Sequence, residues 1–380
     1  MKGWPLHGDP GGRAPLAGDW AYPVALLAER ALRHNIGLMA RYCERHGALL
    51  APHAKTSMAP WIVDAQVAAG AWGMTVAHVG QARALDVERI VIANEVVAPG
   101  ELEWIAAQDR RVLLYVDSIA GVERVSRAAG AAPIEVLVEV GYAGGRTGCR
   151  TAAEARDVAR AAAAARNVRV AGVAAYEGFL SLEQADGFLA EVAAVAETLA
   201  ADGLLDGEPL LTAGGSMLFD RVVAVLGPVA ERIGGRLLLR AGCYVTHDYG
   251  VYERLGPATR GALEEPFAPA LEIWGVVLSR PEPTRAIAGA GKRDLASDMG
   301  LPIPLPELVR DGERVPLGPA RVVELNDQHA HLEIAADADV RAGDLAGFGI
   351  SHPCAAFDRW RHLALVDDGG RVVEMIATLF

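Results

Sequence analysis

Between residues 48 and 240, short apolar runs rich in Leu and β-branched residues alternate with longer stretches rich in Ala, Arg and Glu. The runs cover residues 48–51, 72–77, 89–93, 111–116, 134–140, 168–175, 209–212 and 235–240. At four to eight residues each, they are too short for helices and read as buried strands. The stretches between them, such as 152–166 and 182–201, have helical length and composition. Strands alternating with helices imply right-handed crossovers and a parallel sheet. Eight such units suit a (β/α)8 TIM-like barrel; a doubly wound open sheet is the competing arrangement.

After Pro257 the pattern changes. Residues 271–279, 285–288, 320–325, 331–335, 345–348, 363–366 and 372–379 read as strands without regular helices between them. Asp367-Asp368-Gly369-Gly370 reads as a hairpin turn, and the Pro-rich segment 301–306 as a connection. The expected organisation is α/β: a leader at 1–22 packing on the β domain, a barrel at 23–257 and a C-terminal β domain at 258–380.

An apolar fraction of 52% supports a large core. The net charge of −12 and pI near 5.4 argue against nucleic acid and anionic membrane as partners. No run of eighteen apolar residues occurs, and the first 22 residues lack the apolar core of a signal peptide. Four scattered cysteines, Cys43, Cys149, Cys243 and Cys354, form no CxxC pair. A reduced cytoplasmic protein with thiols or metal ligands is expected.

Of 36 Lys and Arg residues only three are lysine: Lys2, Lys55 and Lys292. Lys55 lies in Pro52-His53-Ala54-Lys55-Thr56, just after the first strand. Retaining Lys where Arg is the rule points to a need for an amine, since a buried Lys can lose its proton and form a Schiff base. Polar residues follow the other strands as a barrel active site requires: His78 and Gln81, Asn94, Asp117 and Ser118, Gly144-Gly145-Arg146, Tyr176-Glu177-Gly178, Gly214-Gly215-Ser216, and Gly242-Cys243-Tyr244 with His247. The last two loops have the glycines and following helix starts of a phosphate cradle. A Schiff-base lysine on the first strand with a phosphate cradle on the last two describes pyridoxal phosphate in a barrel. In the β domain, Ser351-His352-Pro353-Cys354 offers nitrogen and sulfur to one metal. Thiolate with imidazole favours zinc over manganese or magnesium, and two protein ligands leave positions for substrate. His329, beside Gln328, is the candidate for handling a proton.

The order of Pro52-His53-Ala54-Lys55-Thr56, Gly144-Gly145-Arg146-Thr147-Gly148, Arg240-Ala241-Gly242-Cys243-Tyr244 and Ser351-His352-Pro353-Cys354 resembles the fold-type III pyridoxal-phosphate enzymes. The nearest resemblance is to the D-serine dehydratase and D-threonine aldolase-like family, with alanine racemase more distant. Gly289-Ala290-Gly291-Lys292-Arg293-Asp294 resembles a family loop leading to Asp298. The resemblance implies that Lys55 carries the cofactor, with His53 beside it, Arg146 at the ring or its phenolic oxygen, and Arg240 at the pyridine nitrogen. It also implies that Ser216, Gly242, Cys243 and Tyr244 hold the phosphate, that Tyr176 lines the cofactor, and that His352 and Cys354 bind the metal. The family's Tyr-x-Gly-His is Tyr176-Glu177-Gly178-Phe179 here, and Thr56 is followed by Ser57-Met58 where relatives have His-Lys.

The resemblance implies a homodimeric lyase. A D-β-hydroxy amino acid loses water with help from the metal and yields a keto acid and ammonia. The alternatives are retro-aldol cleavage to glycine and an aldehyde, or racemisation. A non-enzymatic cofactor-binding barrel is disfavoured by residues 258–380, and a racemase by the lack of any tyrosine after Tyr252.

Overall fold

The computed structural model of the chain describes residues 2–178 and 180–380; Met1 and Phe179 lie outside the described residues. Two compact units emerge, neither contiguous in sequence. One comprises Met39–Lys55 and Gln66–Gly242, the other Met1–Leu38, Thr56–Ala65 and Cys243–Phe380.

Strand β1 (Val24–Ala28) belongs to the second unit. The first unit holds β2 (Leu49–Leu50), β3 (Met74–Val76), β4 (Arg89–Glu95), β5 (Arg111–Val116), β6 (Ile134–Val140), β7 (Val168–Ala175), β8 (Leu210–Ala213) and β9 (Arg236–Leu239). All are parallel, in the order β2-β9-β8-β7-β6-β5-β4-β3. Trp72 N–H to Leu50 O (2.7 Å) and Thr75 N–H to Pro52 O (2.9 Å) join the two ends. The sheet therefore closes as a barrel, which removes the open-sheet alternative. These closing bonds lie outside the ladders, which is why β2 and β3 are shorter than the apolar runs 48–51 and 72–77. Strands buried on both faces need apolar residues throughout, and Val136 to Val140 are all buried. Leu113, Tyr115, Leu137, Ala174, Leu210 and Leu238 pack together as part of the barrel core. Only glycine fits at 172, where a Cβ would stand 1.9 Å from Leu210 O.

Several polar residues that follow strands are helix caps. The His78 side chain accepts from Gln81 N–H (3.4 Å), and Gln81 Oε1 accepts from Ala77 N–H (2.8 Å). Ser118 caps Ile119–Ala128 and Thr151 caps Ala152–Ala164, while Ser181 and Gln184 form a capping box on Leu182–Ala201.

The second unit contains β10 (Leu271–Glu282), β11 (Arg285–Ala288), β12 (Ile303–Arg310), β13 (Glu313–Pro316), β14 (Ala320–Leu325), β15 (Ala330–Ile334), β16 (Leu345–Gly349), β17 (His362–Val366) and β18 (Val372–Ala377). They run β13-β12-β16-β10-β1-β17-β18, with β11, β15 and β14 branching from β10. Pairing is antiparallel except between β1 and β17. The segment expected as a Pro-rich connection is instead the start of β12. Its prolines are tolerated because the register to β16 shifts between Pro304 and Leu308. Trp20, Val24, Leu26, Trp274, Leu305 and Leu345 form this unit's core. The first residues are tied to it: Val372 N–H donates to Arg13 O (2.8 Å), and Lys2 Nζ pairs with buried Asp294 (2.7 Å). No helix among the described residues is long and apolar enough to cross a membrane.

Candidate active site

Lys55 lies in a 3-10 turn, Ala54–Thr56, that follows β2. Two residues earlier, His53 continues the barrel by bridging to Thr75, and its Nδ1 is shut off from solvent without a partner. Burial, followed by the charges of Lys55, Arg240 and Arg146, holds its pKa well below the usual imidazole value. His53 is therefore neutral at physiological pH and offers a lone pair as well as a proton.

Arg240, one residue after β9, is 5% exposed. Its Nε donates to Thr212 Oγ1 (2.9 Å), its Nη2 to Ala175 O, and its guanidinium lies 5.6 Å from the Tyr115 ring centroid. Thr212 in turn donates to Leu238 O (2.8 Å), so β7, β8 and β9 all fix this cation. Arg146 lies over the Tyr176 ring at 4.5 Å. Its glycine-rich loop is braced by Arg150, which donates to the carbonyls of Gly145, Arg146, Thr147 and Gly148.

Two buried carboxylates belong to the barrel: Glu177, expected as a polar residue after its strand, and Glu139, which was not anticipated. Glu177 is fully buried and accepts from Gly214 N–H (3.2 Å) and Gly215 N–H (2.5 Å). Those amides, expected to face a phosphate, are thus occupied. Ser216 Oγ remains buried and unpartnered. Glu139, also buried, faces Glu95, with Glu95 Oε1 and Glu139 Oε2 both lacking a donor. Burial first, then the Glu139 hydrogen bond and charge, pushes the Glu95 carboxyl up to about 8. A proton on Glu95 satisfies the pair. The Tyr115 hydroxyl, between β4 and β6 on β5, is likewise without a partner.

In the second unit, Cys243, His352 and Cys354 each offer one ligand atom, all within 4.8 Å of one another. Cys243 opens the 3-10 turn Cys243–Val245, and Cys354 lies in the 3-10 turn Pro353–Ala355 after extended His352. Cys243 Sγ stands 3.1 Å from Cys354 Sγ. His352 Nδ1 bonds Asp298 Oδ2 at 2.7 Å, while Tyr252 Oη is 3.5 Å from Nε2. Hydrogen bonding from Cys354, against the opposing effect of burial, holds the Cys243 thiol well below its usual pKa. Burial lowers His352, but the Cys243 and Asp298 contacts prevail and raise it to about 9. The other two thiols differ: burial pushes Cys43 and Cys149 up to about 12, so they stay protonated. Cys243 thus directs its sulfur at Cys354, a contact that the expected phosphate role did not foresee. Tyr244 is buried against Phe267 (5.7 Å) and Gly242 is buried. His329 is exposed in the turn between β14 and β15, its carbonyl accepting from Asn326 N–H.

The chain matches the family described as alanine racemase, N-terminal domain, over residues 27–220, just over half its length. It is also 31% identical over 297 residues to a D-threonine aldolase of an Arthrobacter species, covering 74% of each chain. The chain belongs to this family. Residues 270–366 of this alanine racemase-type chain further match a putative serine dehydratase domain. The crystal structure of D-threonine aldolase from Filomicrobium marinum superposes with a TM-score of 0.83 at 27% identity, covering 98% of both chains. D-threo-3-hydroxyaspartate dehydratase from Delftia sp. HT23 shares the fold, with a TM-score of 0.75 at 22% identity over 96% of this chain and 99% of that one.

Proposed function

We propose that this chain is a lyase dependent on pyridoxal phosphate and a divalent metal, which eliminates water from a D-β-hydroxy amino acid to give a keto acid and ammonia. The metal-binding geometry carries the reading: His352 and Cys354 bring a nitrogen and a sulfur within 4.8 Å of each other, a donor pair that suits zinc. The family resemblance associates His with Cys, here His352 and Cys354, with elimination. Orphaned His53 Nδ1 and Ser216 Oγ, with the cations Lys55, Arg146 and Arg240, fit an anionic aromatic ligand in the barrel.

In this reading Lys55 Nζ would hold the cofactor, and its amine would be the base for the Cα proton. Arg240, pinned by Thr212 and Ala175, would present a permanent cation to the ring nitrogen. Arg146 and Tyr176 would bound the ring with His53 beside it, and Ser216 and Gly242 would contribute to phosphate binding. Bound to these residues, pyridoxal phosphate supplies an electron sink for the pair left at Cα, and the metal supplies a Lewis acid for the β-oxygen. Asp298 holds His352 Nδ1 so that Nε2 is the ligating nitrogen. The enamine released takes up water and yields keto acid and ammonia.

A second reading, retro-aldol cleavage to glycine and an aldehyde, is favoured by the 31% identical D-threonine aldolase and by a 3-hydroxy-D-aspartate aldolase of Paracoccus denitrificans, 27% identical over 301 residues. Both readings use the same residues. Incubation with D-serine, D-threonine and D-threo-3-hydroxyaspartate, reading ammonia, keto acid, glycine and aldehyde together, separates them. Keto acid with ammonia is expected; glycine with aldehyde as the main product overturns elimination. We also propose a homodimer, supported by the resemblance. A cytoplasmic location is supported by the four scattered cysteines, which form no CxxC pair.

A further inference from the structure

We propose that Cys243 is a third protein ligand of the metal, making a centre of two thiolates and one imidazole with a single open position. The inference rests on His352 and Cys354 being metal ligands and adds a residue that neither the HxC spacing nor the family pair contains.

Geometry supports it first. The ligand atoms of Cys243, His352 and Cys354 lie mutually within 4.8 Å, as donors to one ion must. Two sulfurs on one tetrahedral zinc stand roughly 3.8 Å apart, given Zn–S bonds of about 2.3 Å. The 3.1 Å separation here requires the sulfurs to part by roughly 0.7 Å, within reach of a small side-chain rotation. Asp298 engages His352 Nδ1 at 2.7 Å, and Nε2, with only the long 3.5 Å approach of Tyr252 Oη, is the imidazole donor. Thr56 Oγ1 is 3.6 Å from Cys243 Sγ and can donate to it, as a group beside a ligating thiolate does.

Charge supports it second. Cys243 and His352 are both buried. A divalent ion held by one thiolate and a neutral imidazole keeps a net positive charge, which is costly away from water. A second thiolate cancels it. The neutral two-sulfur centre selects zinc, cobalt or cadmium and rejects magnesium and manganese. Such a centre would keep one position open for one substrate oxygen.

X-ray absorption on the zinc-loaded, cofactor-loaded enzyme tests this without a variant: two sulfur scatterers are expected, and one overturns the proposal. Cobalt substitution with wild type, Cys243→Ser and Cys354→Ser gives a second measurement. Thiolate-to-cobalt absorption in the near ultraviolet should fall by half in each variant. Zinc affinity, read by competition with a chromophoric chelator, should drop at least about 100-fold, since even outer-shell partners are worth 10- to 100-fold. If Cys243→Ser keeps full absorption and affinity while Cys354→Ser loses both, Cys243 is no ligand and the His352–Cys354 site stands. If wild type binds neither metal, the underlying site is wrong and the proposal falls with it.

Discussion

Replacing Glu95 with Gln should stabilise the protein at alkaline pH and leave it unchanged in acid. Glu95 faces buried Glu139, with Asp117 adding further negative charge, and its carboxyl titrates near 8 instead of 4.5. The folded chain therefore keeps a proton between those values that the unfolded chain has lost. Where the native state binds more protons, stability falls as pH rises. The penalty is absent below pH 4.5, grows through the window and is complete above about 8. At about 1.4 kcal/mol per unit, a shift of this size caps the cost at roughly 5 kcal/mol. Glu95 retains some solvent access, so screening reduces this to about 1–2 kcal/mol. Glu95→Gln, neutral at every pH, removes that slope, and Glu139→Gln should flatten it as well by removing the repelling charge. Thermal melts from pH 5 to 9 on cofactor-free and cofactor-loaded protein measure the effect. Wild type should lose about 1–3 °C relative to Glu95→Gln across the window, the shift expected of a chain this long for about 1–2 kcal/mol. Melting curves that shift in parallel at every pH would refute the shared proton.

Lys55→Ala should abolish cofactor retention, and borohydride reduction of wild type followed by peptide mapping should label Lys55; a label on Lys2 or Lys292 defeats the assignment. Chelation should remove turnover of β-hydroxy substrates while the cofactor stays bound, and full activity in a protein shown to be metal-free contradicts the proposed role. Asp294→Ala should cost about 2–3 kcal/mol, because it strips a buried acceptor from Lys2 Nζ, Gly291 N–H and Gln328 Nε2. The same variant should be cleaved within its first twenty residues by a protease that spares wild type; equal resistance argues against the tie.

The barrel was legible because a parallel strand buried on both faces must be a short apolar run, and residues 111–116, 134–140 and 168–175 are strands at those bounds. Strand β1 was hidden inside a stretch assigned to the barrel, since its five residues look the same whichever sheet they join. Strand β12 was masked by its prolines, because a register shift that accommodates them has no sequence signature. Lys55 stood out through scarcity, and His352 with Cys354 through proximity. Cys243 could not, since 109 residues separate it from His352 and only folding brings their ligand atoms together. Glu177 stood out only as a polar residue after its strand and Glu139 not at all, because burial is a property of the fold. A Glu beside Gly178 and a Glu inside an otherwise apolar strand were the available signals.

During synthesis, assembly of the second sheet is delayed by the place of β1 in the chain. That strand emerges early, yet its partners β10 and β17 begin at Leu271 and His362. At about 5–20 residues per second, the edge of β1 waits roughly 12–50 s for its first neighbour and longer for its second. By the end of that interval the barrel segment up to Gly242 is complete and can fold. Val24 to Ala28 meanwhile remain an apolar strand without a sheet, the part of the nascent chain most exposed to chaperones and to mispairing. Refolding of the detached full-length chain faces no such delay, so synthesis and refolding need not visit the same intermediates.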